Sequence, residues 1–192
     1  MLPANHIQEL QRRISLYDDE SAYKALFLHF YEPLVQFAGS FVRSAPIAEE
    51  VVSDVFINIW QGRRRLTEVN NLRVYLYVST KNVALKYLLQ QQKKNALSLD
   101  ELELDMESPH YNPEEQLISA ELLAKFEQAV SELPPRCKVI FKLIKEDGLR
   151  YKEIAEILDI SVKTIDNQLA IALARIARAI NTSLKRPQRL KP

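Results

Sequence analysis

Tyr151-Lys152-Glu153-Ile154-Ala155-Glu156-Ile157-Leu158-Asp159-Ile160-Ser161-Val162-Lys163-Thr164-Ile165-Asp166-Asn167-Gln168-Leu169-Ala170-Ile171 is the stretch on which the fold turns. Ile154, Ala155 and Leu158 share one face of a short helix, and Asp159-Ile160 makes the turn. Ser161 is placed to cap a second helix that carries Val162, Ile165, Leu169 and Ala172 inward. A small residue at Ala155 lets the two helices cross closely, and Ile165 fills the angle between them. The turn position where glycine is common holds Asp159, a residue that tolerates the left-handed conformation better than most.

That pattern is a helix-turn-helix, whose second helix enters the DNA major groove. Periodicity turns Lys163, Thr164, Asn167, Gln168, Ile171 and Arg175 outward. Asn and Gln amides pair bidentately with adenine, and Lys suits guanine or phosphate. Ser161 stands at a helix N-terminus, where backbone N–H groups favour a phosphate. An ordinary helical hairpin with a polar face is the competing reading; the turn spacing, Ala155, Ile165 and the exposed amides together favour DNA.

Working outward, Asp147-Gly148 marks a turn, and a helix opened by Pro135 runs to about Glu146. Before it a helix extends from near Gln116 to Leu133. Residues 93–115 lack periodicity and contain Pro109 and Pro113, so they read as a linker. Upstream, Ala22, Leu26, Phe30, Leu34, Phe37 and Phe41 recur at helical spacing, with Pro33 expected to end one helix and open another. A further helix begins near Ser44–Pro46 with the stripe Val51, Val52, Val55, Phe56, Ile59, Trp60. After a loop from Gly62 to Asn70, the next runs from Asn71 to Gln92. The expected fold is all-α: two helical modules joined by a flexible acidic linker, the second module containing the helix-turn-helix. The divisions are 1–19 as an N-terminal extension, 20–92, the linker 93–115, 116–183, and a basic tail 184–192.

Charge is sorted along the chain although the net is only +1. From Gln61 to Asn95 eight basic residues face one acid, Glu68, a net of +7. From Ala96 to Glu121 there are eight acids and no Lys or Arg, and after Asp166 only basic residues remain. Two basic bodies with an acidic strap between them suggest an extended polyanion touched at two places. One cysteine, Cys137, and three scattered histidines offer neither an internal disulfide nor a metal site. Glu49, Glu50 and Asp54 lack the Glu-x-x-His pairs of a helical di-iron site. With three glycines there is no phosphate-binding loop, so no cofactor, small-molecule substrate or enzymatic activity is expected. No apolar run reaches the about 18 residues that span a bilayer, and the first twenty residues show no secretion leader, so a cytoplasmic protein is expected.

Both modules resemble one family. Ala48-Glu49-Glu50-Val51-Val52-Ser53-Asp54-Val55-Phe56-Ile57-Asn58-Ile59-Trp60 is similar to region 2.2 of the extracytoplasmic-function (ECF) branch of sigma-70-type sigma factors. Leu72-Arg73-Val74-Tyr75-Leu76-Tyr77, Lys81-Asn82 and Lys86-Tyr87-Leu88 resemble regions 2.3 and 2.4. Leu133-Pro134-Pro135-Arg136-Cys137 and the segment Tyr151 to Leu158 resemble region 4. The resemblance implies that Glu49, Glu50, Asp54, Val55, Asn58 and Ile59 contact the clamp of the RNA polymerase β′ subunit. It places Asn82 at a flipped base of the −10 promoter element, with Arg73, Lys81, Lys86 and Arg63 to Arg65 along the strand. Ser161, Lys163, Thr164, Asn167, Gln168 and Arg175 would then read the −35 element. It further implies contact with the polymerase β flap, a linker running toward the RNA exit path, and an anti-sigma factor, membrane-anchored in some relatives. Where the family more often has Phe and Trp, this chain has Leu72 and Tyr75. A stand-alone helix-turn-helix regulator, binding an operator as a dimer, is the alternative that the second module alone would allow.

Overall fold

The computed structural model describes the backbone of residues 4–95 and 117–184 and the side chains of 5–91 and 123–181. These residues form helices and no strand, in two compact units. The acidic segment 96–116 and the tail 185–192 lie outside the described residues.

The first unit holds α1 (Ala4–Tyr17), α2 (Glu20–Val42), α3 (Ala45–Gln61), a 3-10 turn (Arg63–Glu68) and α4 (Leu72–Asn95). Asp19 caps α2, its carboxylate accepting from the Ala22 amide at 3.0 Å, and Glu20 in the first turn suits the helix dipole. Pro33 does not divide this helix: α2 runs through it. The buried stripe Ala22, Leu26, Phe30, Leu34, Phe37, Ala38, Val42 stays in register across the proline, and that packing overrides the lost backbone donor. Arg43 ends α2 in the left-handed conformation, φ 51°. Ser44 and Pro46 then open α3, with proline in the first turn as expected.

α2, α3 and α4 pack against one another. α3 contributes Ala48, Val51, Val52, Val55, Phe56 and Ile59, and α4 contributes Leu72, Val74, Leu76, Tyr77 and Ala84. Phe56 sits between Phe27 and Tyr23, at ring separations of 4.8 and 6.1 Å, while Tyr77 meets Phe37 edge-on at 5.1 Å. Asn71 caps α4 as anticipated, Oδ1 accepting from the Val74 amide at 3.2 Å.

The N-terminal residues are not a separate extension. α1 buries Ile7, Leu10 and Ile14 and packs on both α2 and the 3-10 turn. Each fully buried aliphatic side chain contributes about 1.5–3 kcal/mol of transfer free energy toward holding the helix on the unit.

The second unit holds α5 (Leu117–Ser131), α6 (Pro135–Lys145), α7 (Tyr151–Leu158) and α8 (Val162–Leu184). α5 and α6 pack on α8 around Ala129, Val130, Leu133, Cys137, Phe141, Leu169, Ala172 and Ile176. Gly148 takes φ 57° in the turn before α7, where a side chain would be strained.

Candidate nucleic-acid interface

The helix-turn-helix is built as its residues dictate. Arg150 precedes α7, its amide donating to the Glu153 carboxylate at 2.8 Å, which closes the first turn. Asp159 ends α7 with φ 55° and ψ 53°, the left-handed corner that lets α8 leave at a steep angle. Ser161 caps α8: its hydroxyl accepts from the Thr164 amide at 3.0 Å and shares a 2.8 Å hydrogen bond with the Thr164 hydroxyl. Ile154, Ile157 and Ile165 are fully buried. Two inward assignments change here. Val162 is 42% exposed, and on α7 it is Ile157 that is fully buried while Leu158 is half-buried.

Lys163, Asn167 and Arg175 are exposed along α8, and Thr164 is half-buried with its hydroxyl engaged by Ser161. Gln168 differs from expectation. It is half-buried, and its Oε1 accepts from the Cys137 thiol on α6 at 3.0 Å. A bidentate reading of adenine needs both amide atoms, and here the oxygen is already shared with the core.

In the first unit, Asn82 and Lys86 are exposed one turn apart on α4, lining a shallow groove with Leu85, Leu89 and Gln90. Lys81 and Arg73 are half-buried. Of the three consecutive arginines, Arg63 is held inside the unit: it pairs with Asp18, donates to the Trp60 carbonyl at 2.8 Å and stacks 4.5 Å from the Trp60 ring. Its guanidinium is thus already engaged within the unit, while Arg64 and Arg65 are exposed.

On α3, Glu49, Glu50 and Asn58 face solvent. Val55 and Ile59, expected to contact a partner, are only 1% and 3% exposed and fill the core, since they lie on the same stripe as Val52 and Phe56. Asp54 is half-buried and accepts from the Tyr87 hydroxyl of α4 at 2.9 Å. Burial pushes the Tyr87 phenol well above its usual range, and the carboxylates of Asp54 and Glu50 add to the shift. Among the described residues no group of three or more potential metal ligands is gathered, and no helix is long and apolar enough to cross a membrane.

Comparison with known proteins agrees with this arrangement. The profile for sigma-70 region 2 matches residues 26–94, and that for sigma-70 region 4 matches residues 123–176. The ECF RNA polymerase sigma-E factor of Escherichia coli K12 is 25% identical over 175 residues, spanning 88% of this chain and 91% of that protein. The RNA polymerase sigma-H factor of Pseudomonas aeruginosa is 22% identical over 193 residues, 96% of this chain and 99% of that one. Among solved structures, the sigma factor RpoE of Bartonella quintana, in complex with the anti-sigma factor NepR, has a TM-score of 0.61 at 19% identity, covering 85% of this chain and 98% of that one. CnrH in complex with the cytosolic domain of CnrY has a TM-score of 0.55 at 18% identity, covering 94% and 99%.

A basic helical module followed by a helix-turn-helix module, matched to these two regions in this order, defines a transcription initiation factor. The chain belongs to the ECF branch of the sigma-70 family of RNA polymerase sigma factors.

Proposed function

We propose that α3 of the first unit docks core polymerase through Glu49, Glu50 and Asn58, and that α4 holds one strand of the opened −10 element through Asn82, Lys81 and Lys86. The second unit reads the −35 element through Lys163, Asn167 and Arg175, with Ser161 and the first turn of α8 against a phosphate. The observation that carries this reading is the exposed row Lys163, Asn167, Arg175 on a capped helix that follows a left-handed turn at Asp159. Each module binds weakly alone, and tethering both to one polymerase multiplies their affinities. The factor is not an enzyme and takes no cofactor; it works in the cytoplasm, where the polymerase is. An anti-sigma factor covering the polymerase-binding face would hold it inactive, as the complexes of RpoE and CnrH illustrate for those proteins. A dimeric operator-binding regulator is not favoured, because it leaves the region 2 module without a role.

The test is reconstitution. Core polymerase with the purified chain should initiate at discrete positions on fragments selected from a promoter library, with a steep salt dependence. Absence of specific initiation on every selected fragment overturns the reading.

A further inference from the structure

Three side chains among the described residues are buried and polar: Gln11, Ser15 and Thr80. Thr80 bonds its own helix, donating to the Leu76 carbonyl at 2.9 Å. The other two lie one turn apart on α1 and reach across to the 3-10 turn. Gln11 Nε2 donates to the carbonyls of Leu66 and, at 2.8 Å, Val69. Ser15 Oγ donates to the carbonyl of Arg64 at 3.0 Å. Leu66 is buried beneath the turn, and Asp18, just past α1, pairs with Arg63. α1 thus holds the turn and its exit at three backbone carbonyls, and Asp18 just after it adds one guanidinium.

The grip leaves Arg64 and Arg65 on the outside. The Arg65 side chain is 82% exposed, and its ion pair with Glu68 at 3.6 Å is open to water, so it competes weakly with another anion. Apolar packing alone would have fastened α1. Buried donors aimed at carbonyls instead fix the conformation of the backbone that carries the two arginines.

We propose that α1 is a clamp that presets Arg64 and Arg65 as a phosphate-contacting edge for promoter DNA, with Gln11 and Ser15 as positioning residues. The inference rests on the sigma-factor reading above and deepens it. Phosphate is the ligand because the exposed side of the turn offers guanidinium groups and no apolar anchor, the one aliphatic residue, Leu66, being buried; a protein partner would want such anchors. Along the sequence the next charged residues after Glu68, namely Arg73, Lys81 and Lys86, carry the same sign, as suits a polyanion-binding module. A turn already ordered loses little conformational entropy on binding.

The experiment uses holoenzyme reconstituted from the full chain and a promoter fragment recovered by selection with that wild-type holoenzyme. Affinity is measured across a salt series. Arg64→Ala with Arg65→Ala should flatten the log–log salt slope by roughly 1.4–1.8, two contacts' worth. Gln11→Leu removes the amide donors at similar size; it should weaken promoter binding about fivefold with the slope shifted in the same direction, while core polymerase binding stays unchanged. In the double-arginine background Gln11→Leu should add nothing further. An unchanged affinity and slope, or an equal further loss in that background, overturns the proposal, since additivity would mark a general structural effect. Should Gln11→Leu fail to fold, Ser15→Ala decides by the same two criteria. If wild-type holoenzyme selects no fragment, the sigma-factor reading fails instead, a result distinct from either.

Discussion

The Cys137 thiol of α6 donates to Oε1 of Gln168 on α8 at 3.0 Å, so the core of the second unit takes hold of one of the two amides on the recognition helix. Its neighbour Asn167 is exposed. The two residues should therefore differ in effect although both are amides on the same turn. Asn167→Ala is expected to lower promoter affinity about tenfold and relax base preference at one −35 position, the range of a lost base contact. Gln168→Ala should cost promoter binding less and stability more, by about 1 kcal/mol. Holoenzyme binding to a −35 substitution series separates them; a larger binding defect in Gln168→Ala would reverse the assignment.

Asp54 and Tyr87 tie α3 to α4 through a 2.9 Å hydrogen bond. Tyr87→Phe removes the donor and keeps the ring, and should cost about 1 kcal/mol in urea unfolding. Asp54→Ala should cost no more than that, since the Glu50 carboxylate also reaches the Tyr87 hydroxyl. Because the folded-state pKa of Tyr87 is raised, the folded protein holds its proton longer than the unfolded chain. The stability is complete below the ordinary tyrosine pKa of about 10 and falls as pH rises beyond it. Tyr87→Phe should lose that alkaline dependence.

How far the sequence reaches can be judged from three places. The second unit was legible almost throughout because each boundary carries a local signal: Pro135, Gly148, Asp159 and Ser161 all act where expected. α1 is not legible as part of the fold, although Ile7, Leu10 and Ile14 have helical spacing, because its polar anchors are backbone carbonyls of the 3-10 turn, which carry no sequence signal. Helical period cannot by itself say which flank of a stripe is covered. Val55 and Ile59 face the core and Val162 faces water, and only the packing of neighbouring helices decides such cases. Arg63 likewise shows the same sequence character as Arg64 and Arg65, yet Asp18, 45 residues away, and Trp60 engage its guanidinium within the unit.

Asp159 holds φ 55°, ψ 53° at the turn of the helix-turn-helix. A left-handed L-residue costs about 1–2 kcal/mol, less for aspartate and nothing for glycine. Asp159→Gly should leave thermal stability unchanged or slightly higher, and Asp159→Val should lower it by about 1–2 kcal/mol. Calorimetry on both variants tests this; equal stabilities would mean that the turn relaxes out of the left-handed region.

Asp19 accepts from the Ser21 hydroxyl at 2.7 Å, from the Ala22 amide at 3.0 Å and from Arg13 at 2.6 Å. Its carboxyl is held far below the usual range, first by Ser21, then by the Ala22 amide and Arg13. A depressed folded-state pKa gives stability that is present above the unfolded value of about 4 and lost as pH falls below it. Acid titration of the melting temperature should show this loss in the wild type. Asp19→Ala should melt lower at neutral pH and show a shallower acid dependence. Parallel curves for the two proteins would mean that other carboxylates carry the effect.

Pro33 lies inside α2 with no N–H for the carbonyl four residues back, in a helix otherwise buried along one face. Proline in a helix interior costs about 3 kcal/mol relative to alanine, part of it through steric pressure on the preceding turn. Here the helix continues, so packing of Leu26, Phe30, Leu34 and Phe37 carries that strain in the native state. Pro33→Ala should restore the donor and raise stability by about 1–3 kcal/mol. Two smaller effects oppose it: the ring is half-buried and packs, and proline stiffens the unfolded chain. A urea midpoint that rises with unchanged m-value is the expected outcome. A midpoint that falls would mean that the ring's contacts outweigh the missing hydrogen bond and that α2 is shaped around its proline.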